Sequence, residues 1–473
     1  MTIHPSYRGL PPLAGLSSMD RAIHSDWSVD QSVDRWKRLH FVLKRLHEIL
    51  TQRITGEPIY ELKTAFSHHA YICAEHVTSI RRRVSEMREP PLGLDKLPHA
   101  GLAQWMDEIE FAPTTSELLT AVYEHVLPEI HAACERFTVE AHPLADAPSV
   151  RIAKWIAFEL AEIVQFGRQA IDCLVDHDTR QRMGDWLQNL HDCVASAGGL
   201  SGTEQSRIPI PPSVYAHRRS LPSKEPQRDE RFSDPYNAGV NPEAFLYDER
   251  FSPRDKTLMM YYKRLRELDV PEMMATMLAE IGDEEPWDFH LEMSRQLWDE
   301  ARHAMMGEVG FNSLGIDWSK IPINFTWSRN LNLQLTARQR HGVLFFIEQG
   351  LMPKTGKRYE WEVATKSGDP LSKLFQDFDW ADEVLHAQIG RRWYVTKFGS
   401  LNEALAYGDH CWTAVLSHWQ SYKDQGLTQH RNWWPELYKT ACEIWDQPPD
   451  PAALAFCETY EDSRADLKKL SEK

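Results

Sequence analysis

The chain has 473 residues, enough for two or three domains and for a large core without disulfide staples. Apolar residues make up 42% and charged residues 26%, and Lys plus Arg at 53 against Asp plus Glu at 69 gives a net charge of −16. Phosphate backbones and anionic lipid surfaces both need clustered cations, so the composition argues against nucleic acid and membrane as partners.

The opening stretch MTIHPSYRGLPPLAG has no apolar run of signal-peptide length, and no run of apolar residues is long enough to span a bilayer. The cysteines (Cys73, Cys134, Cys173, Cys193, Cys411, Cys442, Cys457) are scattered and never form C-x-x-C, which is the pattern of neither a disulfide framework nor a zinc site. The expectation is a soluble, reduced, cytoplasmic protein.

In chain order, residues 29–54 place Trp36, Leu39, Val42, Leu43, Leu46 and Leu50 at the i, i+3, i+4 spacing of one buried helical stripe. Similar stretches follow at 60–88, 115–139 and 150–178, separated by breaks such as REPPLGLDKLP. Alternating β-branched runs with Asn-Gly turns are nearly absent. The fold class is therefore all-α, with an N-terminal helical bundle over residues 1–200. In 201–253, prolines at 209, 211, 212, 222, 226, 235, 242 and 253 lie among Ser, Arg and acidic residues, which predicts a linker or a loop wrapped on the surface. Helical periodicity returns at 254. Residues 254–400 hold the motifs described next, and 401–473 form a C-terminal helical extension whose tryptophans (Trp412, Trp419, Trp433, Trp434, Trp445) pack it onto the bundle.

Two segments share the pattern D-E-x-x-H on a helix: Asp299-Glu300 with His303, and Asp382-Glu383 with His386. Residues three apart on a helix lie on one face, so each Glu/His pair can reach a single ion. Chance alone supplies about two bare E-x-x-H matches in this composition, but only about 0.1 once an Asp must precede the Glu. A dinuclear site needs one further Glu from each of two other helices. A hairpin folded about Pro286 sets Glu272 level with Glu300, whereas Glu280 falls at the other end, level with Glu292. Glu272 also fits a capping box with Asp269. Glu348 is the only carboxylate in the apolar stretch HGVLFFIEQGLM, where burial requires a partner or a metal.

The candidate catalytic and metal-ligating set is thus Glu272, Glu300, His303, Glu348, Glu383 and His386. Four carboxylates with two neutral imidazoles balance two divalent cations, and oxygen and imidazole ligands without thiolate suit iron or manganese. His341, seven residues before Glu348, lies about 10 Å away along the helix and is set aside. His68, His69, Glu75 and His76 read as core or surface residues, Trp298 and Trp380 as aromatic packing, and Lys354–Arg358 as a basic interhelical loop.

These motifs resemble the ferritin-like superfamily of di-iron carboxylate proteins, and the longer strings PWDFHLEMSRQLWDEARHAMMGE and DFDWADEVLHAQIGRRW look like a bacterial branch of it. The resemblance spans about residues 255–400. It implies a ferritin-like four-helix bundle binding two iron ions, or a manganese–iron pair, with O2 as co-substrate. It also implies that Asp299 and Asp382 orient metal-bound histidines, with Arg302 neutralising such an Asp. The expected activity is that of an oxidase or oxygenase acting on a small organic substrate. Without a flavin or nicotinamide fingerprint, electrons come from an external donor or from the substrate. The alternative is a non-catalytic metal protein, structural or iron-handling. Substrate-binding residues and oligomeric state stay open.

Overall fold

A computed structural model describes residues 6–87, 93–204, 206, 208–215, 223–415 and 419–459. The described residues form helices and turns without any strand, and none of these helices is long and apolar enough to cross a membrane. The chain divides into two compact units, Met1–Ile49 with His69–Leu221 and Leu50–His68 with Pro222–Lys473.

The first unit is built on helices Val29–Gly56 (to residue 49), Tyr60–Met87 (from residue 69), Ala100–Glu110, Leu127–Glu140, Ala147–Leu174 and Gly184–Ser196. Its core takes the predicted stripe of Trp36, Leu39, Val42, Leu43 and Leu46 together with Trp105, Ile130, Phe137, Ile156 and Leu160. The predicted helix over 115–139 instead runs in three pieces, with a π-helical turn at Ala121–Val126 between Thr115–Thr120 and Leu127–Glu140. His69 bonds the Tyr123 hydroxyl through Nδ1 at 2.7 Å, and His76 faces Glu159 at 3.4 Å.

The described parts of the Pro-rich stretch are packed into the two units rather than extended and free. Residues 213–215 belong to the first unit, where the fully buried Glu108 accepts hydrogen bonds from Ser213 Oγ, Val214 N and Tyr215 N at 2.7–2.8 Å. Residues 223–253 belong to the second unit. There Phe232, Val240, Phe245, Leu246 and Phe251 are buried in the same core as Met259, Tyr262, Trp433, Trp434 and Tyr438. Two of the prolines, Pro242 and Pro253, occupy helix first turns, where no backbone N–H is needed. Residues 401–459 likewise share that unit rather than forming a separate body.

Six helices of the second unit carry or support the site: α1 (Pro253–Arg266), α2 (Asp269–Ile281), α3 (Trp287–Ser313), α4 (Ala337–Gly350), α5 (Lys357–Ser367) and α6 (Pro370–Trp393). Helix α3 packs against α1, α2 and α6, while α4 packs against α2 and α6, and α5 against α1 and α6. The α1–α3 crossing is close because residue 307 is glycine. A Cβ there would stand 2.3 Å from Leu265 N and 2.6 Å from Tyr261 O.

The break between α1 and α2 has a cause in the sequence. Pro271 cannot donate to the carbonyl four residues back, and its ring clashes with that carbonyl, which belongs to Glu267. The chain tightens into i→i+3 bonds at this point (Glu267 N to Arg264 O, Leu268 N to Leu265 O, Val270 N to Glu267 O), leaving Glu267 at the end of α1.

Candidate metal centre

One turn of α3 and one of α6 face each other. Glu300, Glu348, Glu383 and His386 bring one ligand atom each to within 4.8 Å of one another, and Glu267, His303 and Asp379 do the same beside them. His386 Nδ1 stands 3.2 Å from Glu300 Oε1, 3.7 Å from Glu383 Oε2 and 3.8 Å from Glu348 Oε1. His303 Nδ1 stands 3.3 Å from Glu267 Oε2, 3.6 Å from Asp379 Oδ1 and 3.7 Å from Glu300 Oε2. Glu300 therefore touches both groups. The two imidazole rings lie 6.0 Å apart.

The histidines are held by a crossed pair of aspartates. His303 of α3 bonds Asp382 of α6 through Nε2 at 3.2 Å, and His386 of α6 bonds Asp299 of α3 through Nε2 at 3.4 Å. A carboxylate on Nε2 holds a proton there and turns Nδ1 toward the cluster. Arg302 bonds both aspartates and Arg295 bonds Asp299 through Nε at 2.9 Å. Burial raises the Asp299 pKa, but hydrogen bonds from His386 and Arg302 outweigh it and hold the pKa down at about 2.

The structure does not bring Glu272 to this cluster. Its side chain is fully buried among Lys63 (Nζ to Oε1, 2.6 Å), Arg228 (Nε to Oε1, 3.0 Å) and Ser328 (Oγ to Oε2, 2.9 Å). Glu267 stands where Glu272 was expected. The two are five residues apart, which on a continuous helix is a rotation of about 140°. Glu272 lies beyond the break between α1 and α2, in the first turn of α2, with its side chain turned to Lys63 and Arg228.

Three further residues escaped the sequence reading. Asp379 lies one turn before Glu383 on the same face of α6, so its spacing was a usable signal. Lys357, expected in a basic interhelical loop, is the first residue of α5 and is fully buried, with Nζ 2.9 Å from both Asp379 oxygens and 2.8 Å from Glu383 Oε1. Arg264, also fully buried, contacts Glu267 at 2.7 Å and pairs with Asp379. Nothing local marks either base, since lysine and arginine in polar surroundings ordinarily lie in solvent. The balance of four carboxylates against two divalent ions is corrected accordingly. With every carboxylate ionised and both histidines neutral, the state in which they bind a metal, five carboxylates (Glu267, Glu300, Glu348, Asp379, Glu383) less two cations leave three negative charges.

Electrostatics divide the carboxylates. Burial and the neighbouring Glu383 and Glu300 push the Glu348 pKa well up, whereas on Glu383 burial is outweighed by Lys357 and hydrogen bonds from Glu348 and His386, which pull its pKa well down. Burial also opposes charge on His303, yet hydrogen bonds to Asp382, Glu267 and Glu300 raise its pKa to about 10.

A metal fits this donor set on one observation above all. Glu267 Oε2, Glu300 Oε1, His303 Nδ1, Glu383 Oε2 and His386 Nδ1 are buried without a well-aligned hydrogen bond and face one another at 3.2–3.7 Å. Orphaned buried acceptors of this kind are rare because each costs about 1–3 kcal/mol, and here five of them converge. Trp298 and Trp380 stand outside the donor set, Trp298 packed at a tilt against His68 at 4.5 Å and Trp380 beside Trp361 at 6.2 Å. His341 packs on Phe289 and Tyr394 instead. Comparison with protein-family models, curated proteins and solved structures returns no match.

Proposed function

We propose that the second unit is a ferritin-like carboxylate–histidine metal centre and that the protein is a non-haem iron or manganese–iron oxidase or oxygenase that uses O2 on a small organic substrate. The five convergent orphan atoms carry this reading. It is supported by the order in which helices deliver ligands: Glu267 after α1, Glu300-x-x-His303 on α3, Glu348 on α4 and Glu383-x-x-His386 on α6. That is one Glu from each of two helices and one Glu-x-x-His from each of two others, the donor pattern of ferritin-like dinuclear sites.

A redox metal held there supplies Lewis acidity and electrons for oxygen chemistry. The chain's own residues do the rest. Asp299 and Asp382 hold the Nε2 protons and aim Nδ1. Arg302 and Arg295 keep both aspartates ionised, so the histidines stay strong donors. Burial of Glu300, Glu348, Glu383 and His386 to 5% exposure or less excludes bulk water from the reacting position. Electrons come from an external donor or from the substrate.

Anaerobic loading with iron(II), followed by stopped-flow absorbance on mixing with O2, tests the reading. A transient visible band that disappears in Glu383→Ala supports it. A loaded protein inert to O2, whose melting temperature collapses when the metal is stripped, would favour a structural metal, the second reading. The depth of the ligands is the observation that favours that alternative.

A further inference from the structure

The two ligand groups differ in what already neutralises them. In the group of Glu300, Glu348, Glu383 and His386, Glu383 is the one carboxylate with a lysine or arginine partner among the described residues, Lys357 at 2.8 Å. In the group of Glu267, His303 and Asp379, both carboxylates are engaged. Arg264 contacts Glu267 at 2.7 Å and pairs with Asp379, and Lys357 Nζ lies 2.9 Å from each Asp379 oxygen. Both cations are fully buried, so neither can swing into water without unpacking α1 or α5. A second cation at Glu267, His303 and Asp379 therefore meets two fixed like charges in a medium that screens them poorly.

We propose that the centre is unequal by construction. The position of Glu300, Glu348, Glu383 and His386 holds one ion tightly, and the position of Glu267, His303 and Asp379 takes a second, exchangeable divalent ion only weakly, with Arg264 and Lys357 standing in for part of its charge. This inference rests on the metal-centre reading above and specifies its stoichiometry. One divalent ion offsets two of the three uncompensated negative charges, whereas two such ions overshoot to a net positive interior. The tight ion is thus loaded first, and the weak position follows the ambient concentration of the second metal.

The test is an equilibrium titration of the full chain with manganese(II) alone and with zinc(II) alone, reading ions bound per chain by dialysis and elemental analysis. The wild type is expected to bind one ion tightly and a second on the order of a hundredfold more weakly. Arg264→Met removes the like charge that pairs with Glu267 and Asp379 and should narrow the gap between the steps by about tenfold or more, whereas Lys357 touches both groups. His303→Asn should keep the tight ion and lose the weak one. Two ions bound with equal affinity by the wild type overturn the inequality and leave the metal centre standing, as does an Arg264→Met gap equal to that of the wild type. No saturable binding by the wild type overturns the metal centre itself and the inference with it. Should Arg264→Met fail to fold, the wild-type steps and His303→Asn still decide the matter.

Discussion

Replacing Glu272 by Ala separates a metal ligand from a structural ion pair. In the wild type its carboxylate neutralises two cations that are themselves buried, Lys63 and Arg228. Arg228 would keep Asp269 at 2.6 Å and the carbonyls of Ile323 and Asn324 at 2.8 and 3.0 Å. Lys63 would keep the Gln227 carbonyl at 2.8 Å and the charge of Glu57 nearby, so its ammonium is the less well compensated of the two. Removing one partner of a buried pair costs about 3–5 kcal/mol. Burial already pulls the Lys63 pKa down, so deprotonation caps the loss and favours the lower end of that range. For a unit of this size, about 3 kcal/mol lowers the melting temperature by roughly 6–12 °C. The assay is scanning calorimetry with elemental analysis on the same sample. Glu272→Ala should melt early and retain its metal, and Lys63→Met combined with Glu272→Met should recover much of the loss, since neither charge is then left alone. A variant that melts like the wild type but has lost its metal would refute the reasoning and return Glu272 to the ligand set.

Other outcomes follow from the same geometry. Asp382→Asn leaves every proposed ligand in place but weakens the hold on the His303 Nε2 proton, so metal affinity should fall about 10–100-fold in a competition assay with a chelator. Gly307→Ala forces a methyl against Leu265 N and Tyr261 O, so α1 and α3 must part. We expect a loss of about 1–3 kcal/mol in denaturant unfolding, together with weaker binding at the Glu267–His303 position. His341, buried with Nε2 unpartnered, has its pKa pushed down from 6.5 to about 3 by burial and by Lys397. Because the folded pKa lies below the unfolded one, its contribution is intact above pH 6.5 and is lost as pH falls toward 3. At pH 5 the loss is about 2 kcal/mol. Unfolding curves from pH 7 to pH 5 should therefore fall more steeply in the wild type than in His341→Asn, and equal slopes would contradict the assignment.

The parts of the site legible in the sequence are those fixed by a single helix. Glu300 with His303 and Glu383 with His386 share a face by spacing alone, and Glu348 stands out because its neighbours are apolar. What spacing could not supply is where one helix stops and which distant charge fills a buried corner. The stop at Pro271 carries Glu267 to the cluster and turns Glu272 away from it. The base opposite Glu272 comes from Lys63, more than two hundred residues earlier in the chain, and no local pattern marks that lysine as buried. Lys357 and Arg264 were hidden for the same reason. The all-helical class followed from periodicity. The packing of 223–253 did not, because Phe232, Phe245 and Phe251 bury themselves without a helical or strand repeat to announce it.

The most direct measurement is the number of metal ions per chain after reconstitution and desalting, in the wild type and in a Glu300→Ala, Glu383→Ala double variant. Both substitutions remove ligands of the tight position, so the account predicts at least one retained ion in the wild type and none in the double variant. A wild type that retains no ion, or a double variant that retains as many as the wild type, would contradict it.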